Sequence, residues 1–110
     1  MRKISSRLSL LATALASLLL SGCQQVYFRA LNLGISTDAA RSVQFDAAHG
    51  LWLDVYAPKN ASAPAPVVIF FYGGSWRDGD RAFYRFVGEA LSRNGVLVVI
   101  PDYRKAPAAI

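Results

Sequence analysis

Val67-Val68-Ile69-Phe70-Phe71-Tyr72-Gly73-Gly74-Ser75-Trp76-Arg77-Asp78-Gly79 is the stretch on which the fold turns. Its first six residues are apolar, β-branched or aromatic, and do not alternate with polar ones. A strand of a parallel sheet, covered on both faces, reads this way. Two glycines end the run, and with no Cβ they let the backbone come close to a bound group. Beyond them Asp80 is a candidate N-cap. Phe83, Phe86, Val87, Ala90 and Leu91 recur at helical spacing and predict one apolar face of about three turns. Arg93 and then Asn94-Gly95 suit the end of that helix. Val96 to Ile100 is a second continuous apolar run, closed by Pro101. Strand, helix and strand in this order predict a βαβ unit with a right-handed crossover.

Upstream the pattern differs. Val43, Phe45 and Ala47 alternate with Gln44 and Asp46, which predicts a strand with one buried face. His49-Gly50 marks a turn. Leu51, Leu53 and Val55 then alternate with Trp52, Asp54 and Tyr56, so the two runs predict an antiparallel hairpin. Ala57 to Pro66, with Pro58, Pro64 and Pro66, reads as loop. Asn60-Ala61-Ser62 inside it matches a glycosylation sequon by chance. There are no internal repeats, and 110 residues hold one domain at most.

The N-terminus is of another kind. Arg2, Lys3 and Arg7 precede an uncharged Leu- and Ala-rich run from Leu8 to Leu20. That run is short of the roughly 20 residues of a membrane-spanning helix and reads as the apolar region of a signal peptide. Leu20-Ser21-Gly22-Cys23 resembles the bacterial lipobox. The resemblance implies a diacylglyceryl group on the Cys23 thiol, cleavage just before Cys23 and acylation of the new amine. The chain has one cysteine, so an internal disulfide is excluded and lipidation gives that cysteine a purpose. Several acyl chains, each contributing about 0.8 kcal/mol per buried CH2, hold a protein firmly to a membrane where one does not. In such lipoproteins Gln rather than Asp after the cysteine, here Gln24, points to the outer membrane. The expected organisation is a signal peptide over 1–22, a tether and entry segment over 23–41 and an α/β domain over 42–110. Within the tether, Val26–Leu33 suits a short helix and Gly34–Ala40 a loop.

The formal charge of +5 includes the leader. Without Arg2, Lys3 and Arg7, nine basic residues face seven acidic ones. Arg77, Arg81, Arg85 and Arg93 fall on or beside the predicted helix. No aromatic or glycine pattern for nucleic acid accompanies them, so they read as a solvated face and nucleic acid is not an expected partner.

Tyr72-Gly73-Gly74-Ser75-Trp76 resembles the oxyanion-hole segment of the α/β-hydrolase fold, where a strand runs into His-Gly-Gly-Gly or a Gly-Gly-Ser-Trp variant. Leu53-Asp54-Val55-Tyr56-Ala57-Pro58 and Pro101-Asp102-Tyr103-Arg104-Lys105-Ala106-Pro107 resemble two further segments of carboxylesterase-like members. The matches lie in order across residues 51–107. They imply an α/β fold, the N-terminal portion of an α/β-hydrolase, with a β-hairpin leading into strand, helix and strand of a mostly parallel sheet. The portion is incomplete, with Val96–Ile100 exposing an edge where the family continues its sheet, an aggregation liability. They also imply hydrolysis of a small-molecule carboxylic ester by Ser-His-Asp chemistry without a cofactor. Oxyanion donors would be the N–H groups of Gly74 and Ser75, with Gly73 shaping the turn. Tyr72 stands where many members carry a histidine that braces the loop.

No catalytic triad is legible. Ser75 does not fit Gly-x-Ser-x-Gly, because position 77 is Arg, and no other serine does. His49, the one histidine, precedes the glycine loop, whereas in this fold the base comes last; it reads as a solvated turn residue. Asp78 and Asp80 lack the spacing of a calcium loop and read as loop and cap, so no metal is expected. Asp102, Tyr103 and Arg104 read as structural, and Trp76 as loop packing. Two alternatives stand beside the esterase: a non-catalytic surface lipoprotein with a binding or structural role, and a truncated product.

Overall fold

Four strands form one sheet in the order β1-β2-β4-β3, with β1 Arg41–Asp46, β2 Leu51–Tyr56, β3 Val67–Ile69 and β4 Leu97–Pro101. The computed structural model describes residues 2–36, 39–60 and 64–109. Positions 37–38 and 61–63, on which parts of the two expected loops and the sequon fall, lie outside the described residues. The chain divides into two units at Leu31.

The first unit is the helix α1, Arg2–Leu31. Leu and Ala favour helix, and the hydroxyls of Ser9, Thr13 and Ser17 return hydrogen bonds to carbonyls one turn back. The helix does not stop at the expected cleavage point but runs through an exposed Cys23. Counted as a helix, Ser6–Leu31 is long and apolar enough to cross a membrane by length and composition. A signal sequence near an N-terminus has the same length and apolar character.

In the second unit β1 and β2 form the expected antiparallel hairpin. Its turn is fixed by Gly50 at φ 65°, by a Gly50 N–H to Ala47 carbonyl bond and by Asp46, whose carboxylate accepts the His49 N–H at 3.2 Å. A bulge leaves Phe45 unpaired between Gln44 and Asp46. The buried face expected of β1 is not there. Its residues are exposed or half-buried, and Ala47 belongs to the turn. As the outer strand, β1 has a neighbour on one side only.

The sheet is mixed. β2 pairs antiparallel with β4, and β4 pairs parallel with β3. β4 therefore sits between two partners, which corrects the expected free edge at Val96–Ile100; the outer strands are β1 and β3. β3 is three residues long, with Phe70 adding one more bond to the Val99 carbonyl at 2.8 Å. It is not covered on both faces. Paired residues share a face, so Val43, Leu53, Val55, Val99 and Ile69 line one side of the sheet, where Ile69 remains 58% exposed. The other side carries the core: Tyr56, Tyr72, Val98 and Ile100.

A helical segment covers the core side. It begins as a 3-10 turn over Arg81–Tyr84 and continues as α2, Arg85–Arg93. Asp80 is the N-cap, its carboxylate accepting the Ala82 N–H at 2.8 Å. At the other end the N–H groups of Val96 and Gly95 reach the Leu91 and Ser92 carbonyls, with Gly95 at φ 80°, a Schellman stop. The face turned inward follows the apolar stripe read from sequence only in part, with Leu91 packed against the core. Gly88, Glu89 and Ser92 are buried, Phe83, Phe86 and Val87 are half-buried, and Ala90 is exposed. The Tyr56 ring occupies the space beside Gly88, where a Cβ would lie 2.4 Å from its Cδ2. Only glycine lets the helix come so near.

Glu89 is held by Lys59 Nζ at 2.6 Å and Arg93 Nε at 3.1 Å on the same carboxylate oxygen. The Lys59 hydrogen bond, followed by the one from Arg93, outweighs burial and holds the carboxyl below its ordinary value. A depressed carboxylate stabilises the fold above its unfolded pKa, and that contribution is lost as pH falls through the folded value. Glu89→Gln is thus expected to lower stability at neutral pH by about 1.5–3 kcal/mol, the range for charged hydrogen bonds. The difference from the parent should shrink as pH is lowered past about 4 in thermal melts. A gap that stays constant down to pH 3 would show that Glu89 acts through packing alone.

Candidate functional site

The chain leaves the sheet after Phe70 and turns on Gly73-Gly74. Gly74, Ser75 and Trp76 lie at φ 143°, 54° and 57°. Non-glycine residues in the left-handed region store of order 1–3 kcal/mol each and persist only where their surroundings hold them. Here they are held from two sides. The Gly74 carbonyl accepts the N–H groups of Arg77 and Asp78 at 3.0 and 2.9 Å. The strap over residues 102–106 grips the loop along its length. Tyr103 donates to the Tyr72 carbonyl at 2.9 Å, Ala106 N–H to the Trp76 carbonyl at 2.7 Å and Lys105 Nζ to the Gly79 carbonyl at 2.6 Å.

This folding leaves the N–H groups of Gly74, Ser75 and Trp76 without a hydrogen bond among the described residues. All three residues line a cavity of about 440 Å³, together with Phe71, Tyr72, Gly73, Tyr103 and Arg104. Successive N–H groups in such a turn make a concavity suited to an anionic oxygen. A second, apolar hollow shares Phe71, Tyr103 and Arg104 with the first and extends over Leu51, Leu53, Ile69 and Val99 on the open sheet face.

Tyr72 is buried. Its ring packs on Tyr103 and Tyr84, with the Lys105 ammonium 5.1 Å from the ring centre. Its hydroxyl donates to Asp102 Oδ1 at 3.0 Å. Burial first, and the Asp102 carboxylate second, raise the phenol above its ordinary pKa and keep it a donor. Asp102 Oδ2 takes the Trp52 N–H and a hydrogen bond from Arg81 Nη1. Arg81 Nε reaches Asp54 Oδ1 at 3.1 Å, which also accepts Ser42 Oγ at 2.6 Å. Burial pulls the guanidinium pKa down, but Asp102 and Asp54 outweigh it and hold it above the ordinary value.

Several sequence expectations change. Arg81 is not on a solvated face: it bridges two carboxylates, its side chain only 24% exposed. Arg93 pairs with Glu89 while staying exposed, so it keeps the expected solvated face. Trp76 is not packed into the loop; it stands 75% exposed as a wall of the cavity. Asp102, read as structural, is the hub of the hydrogen bonds just described. His49 is exposed, its ring 2.8 Å from Asp46, and lines a different hollow from Ser75. Among the described residues no three His, Cys, Asp or Glu side chains gather as metal ligands. Asp54 and Arg81 were not singled out from the sequence as partners. The one signal is an aspartate inside one apolar strand pattern, Leu53-Asp54-Val55, and another directly after a second, Ile100-Pro101-Asp102.

Residues 53–110 match the family described as BD-FAE. Over 55 residues the chain is 44% identical to a probable isoprenylcysteine alpha-carbonyl methylesterase of Arabidopsis thaliana, covering 50% of this chain and 12% of that protein. It is 35% identical over 71 residues to the kynurenine formamidase of Danio rerio, covering 64% of this chain and 24% of that one. Among solved structures, the apo form of Thermogutta terrifontis esterase 2 superposes with a TM-score of 0.55 at 23% identity. That superposition spans 66% of this chain and 29% of the esterase, and shows the shared α/β-hydrolase fold. The chain thus spans a quarter or less of these curated relatives.

Proposed function

The chain belongs to the BD-FAE family of α/β-hydrolase esterases, and from that premise we propose that its glycine loop is the oxyanion side of a serine-type carboxylic ester hydrolase. The observation that carries this reading is the run of N–H groups at Gly74, Ser75 and Trp76, without a hydrogen bond among the described residues, in residues that line the cavity. In acyl transfer the substrate carbonyl oxygen becomes anionic, and donors already aimed at it need no reorganisation. Gly74 and Ser75 are the proposed donors, each such donor contributing about 2.7–4 kcal/mol to the transition state. Gly73, between Tyr72 and the first donor, leaves room for the carbonyl. The substrate is a small-molecule ester, and the chemistry asks for no cofactor or metal.

An ester also needs an activated nucleophile. Residues 1–110 contain no Gly-x-Ser-x-Gly, and His49 is engaged with Asp46. We therefore expect residues 23–110 to hydrolyse p-nitrophenyl acetate no faster than the same residues with Ser75→Ala and His49→Ala. A longer form carrying the elbow serine and a later histidine is expected to hydrolyse it and to react with a fluorophosphonate probe. Saturable labelling of Ser75 in the short form would overturn the assignment.

We also propose that the protein is anchored in the bacterial envelope through a lipid on Cys23, with the outer membrane favoured by Gln24. The basic residues Arg2, Lys3 and Arg7 ahead of the apolar run in α1, and a cysteine exposed on that helix, support this. A palmitate analogue fed to cells is expected to label the protein, and Cys23→Ala to remove the label. Label that survives the substitution would end the lipid-anchor reading.

A further inference from the structure

We propose that Asp102 is a positioning residue for the glycine loop, acting through the Tyr72 hydroxyl and itself fixed by Arg81. The inference rests on the oxyanion reading of that loop. Asp102 follows directly on β4 and is tied to β2 twice: its N–H donates to the Trp52 carbonyl at 2.8 Å, and its carboxylate accepts the Trp52 N–H at 3.1 Å. Its carboxylate is therefore as fixed as the sheet. Arg81, at the start of the helical segment, ties the same carboxylate to Asp54 on β2. Strand, helix start and strap meet at this one side chain.

Tyr72 carries that rigidity to the loop. It is 3% exposed, and it is held at both ends, by its hydroxyl on Asp102 and by its carbonyl under the Tyr103 hydroxyl. The next residue is Gly73, so any turn of the Tyr72 backbone would swing Gly74 and Ser75 away from the cavity. Arg81 and the Trp52 N–H both take Asp102 Oδ2, and the Tyr72 hydroxyl takes Oδ1. A tyrosine in place of the bracing histidine is, on this reading, a working substitute with its own acceptor.

Amide exchange in the full chain tests this without a substrate. In Tyr72→Phe the ring packing stays and the hydroxyl goes. The Arg77 and Asp78 amides, both bonded to the Gly74 carbonyl, are expected to exchange about tenfold faster, the equivalent of one ordinary hydrogen bond. The Val98 and Ile100 amides in the buried strand should not change. Tyr72→His, whose ring N–H can donate to Asp102, should restore part of the protection. In a longer form with esterase activity, Tyr72→Phe should lower kcat about tenfold at unchanged KM, as loss of transition-state stabilisation requires. Unchanged loop amides in Tyr72→Phe, or core amides rising in step with them, would overturn the proposal. A longer form without esterase activity would instead remove the functional reading and leave the exchange result standing.

Discussion

Gly74→Ala is expected to remove the loop conformation altogether. A Cβ at this position would lie 2.0 Å from the Asp78 carbonyl oxygen, at a φ of 143° that side chains rarely tolerate. The obstacle is backbone and cannot swing aside. The same carbonyl group belongs to the turn that the Gly74 carbonyl closes with Arg77 and Asp78, so the turn must open to admit the methyl group. Loss of an oxyanion donor costs about 10²–10³ in kcat, and that is the fall expected in a longer, active form. In the chain itself, the protected amide signals of Arg77 and Asp78 should disappear. Gly73→Ala is the control: nothing lies within 4 Å of the place its Cβ would take, so it should keep the fold and the protected amides. Equal behaviour of the two variants would mean that the close approach at Gly74 does not shape the loop.

The largest expected loss of stability is in Tyr56→Ala. This ring is 1% exposed, fills the space beside Gly88 and joins β2 to α2. Removing a large buried ring costs about 3–5 kcal/mol, against a total of about 5–15 kcal/mol for a typical domain. With a core of four buried hydrophobic residues among those described, little is left to compensate, and urea unfolding followed by circular dichroism should show an unfolded chain. Tyr56→Phe should lose nothing. The hydroxyl is buried without a hydrogen-bond partner among the described residues, and burial, with the Asp54 carboxylate adding to it, pushes its pKa up to about 12. Deleting a buried, unbonded polar group removes a penalty rather than an interaction. A cost for Tyr56→Phe near that of Tyr56→Ala would show that the hydroxyl is bonded in solution.

The same two positions show where sequence reading stops. Local rules located the hairpin, the strands at Val67 and Leu97, the Asp80 cap and the Asn94-Gly95 stop, because turn and cap chemistry is decided by a few neighbouring residues. The glycine loop and the esterase family could be read too, since close backbone approach leaves a glycine signature that survives in order along the chain. Helical periodicity, by contrast, marks Phe83, Phe86, Val87, Ala90 and Leu91 as the inward face; Leu91 does pack on the core, yet Gly88, Glu89 and Ser92 are the residues buried. A ring on another strand decides that, by taking the room a side chain would need.

The site divides in the same way. A tight glycine turn after β3, and the lack of an elbow serine within residues 1–110, are plain from the residues themselves. What holds that turn is not, because it depends on how the whole chain packs. Asp102 lies 30 positions from Tyr72 and 21 from Arg81, and Arg81 lies 27 from Asp54. The four meet because β4 inserts between β2 and β3. The insertion brings Asp102 beside Trp52, and the helical segment then sets Arg81 between two carboxylates. Charge pairing of this kind depends on which strands are neighbours, and strand order is settled by register and coverage across the whole sheet, not by any local run of residues.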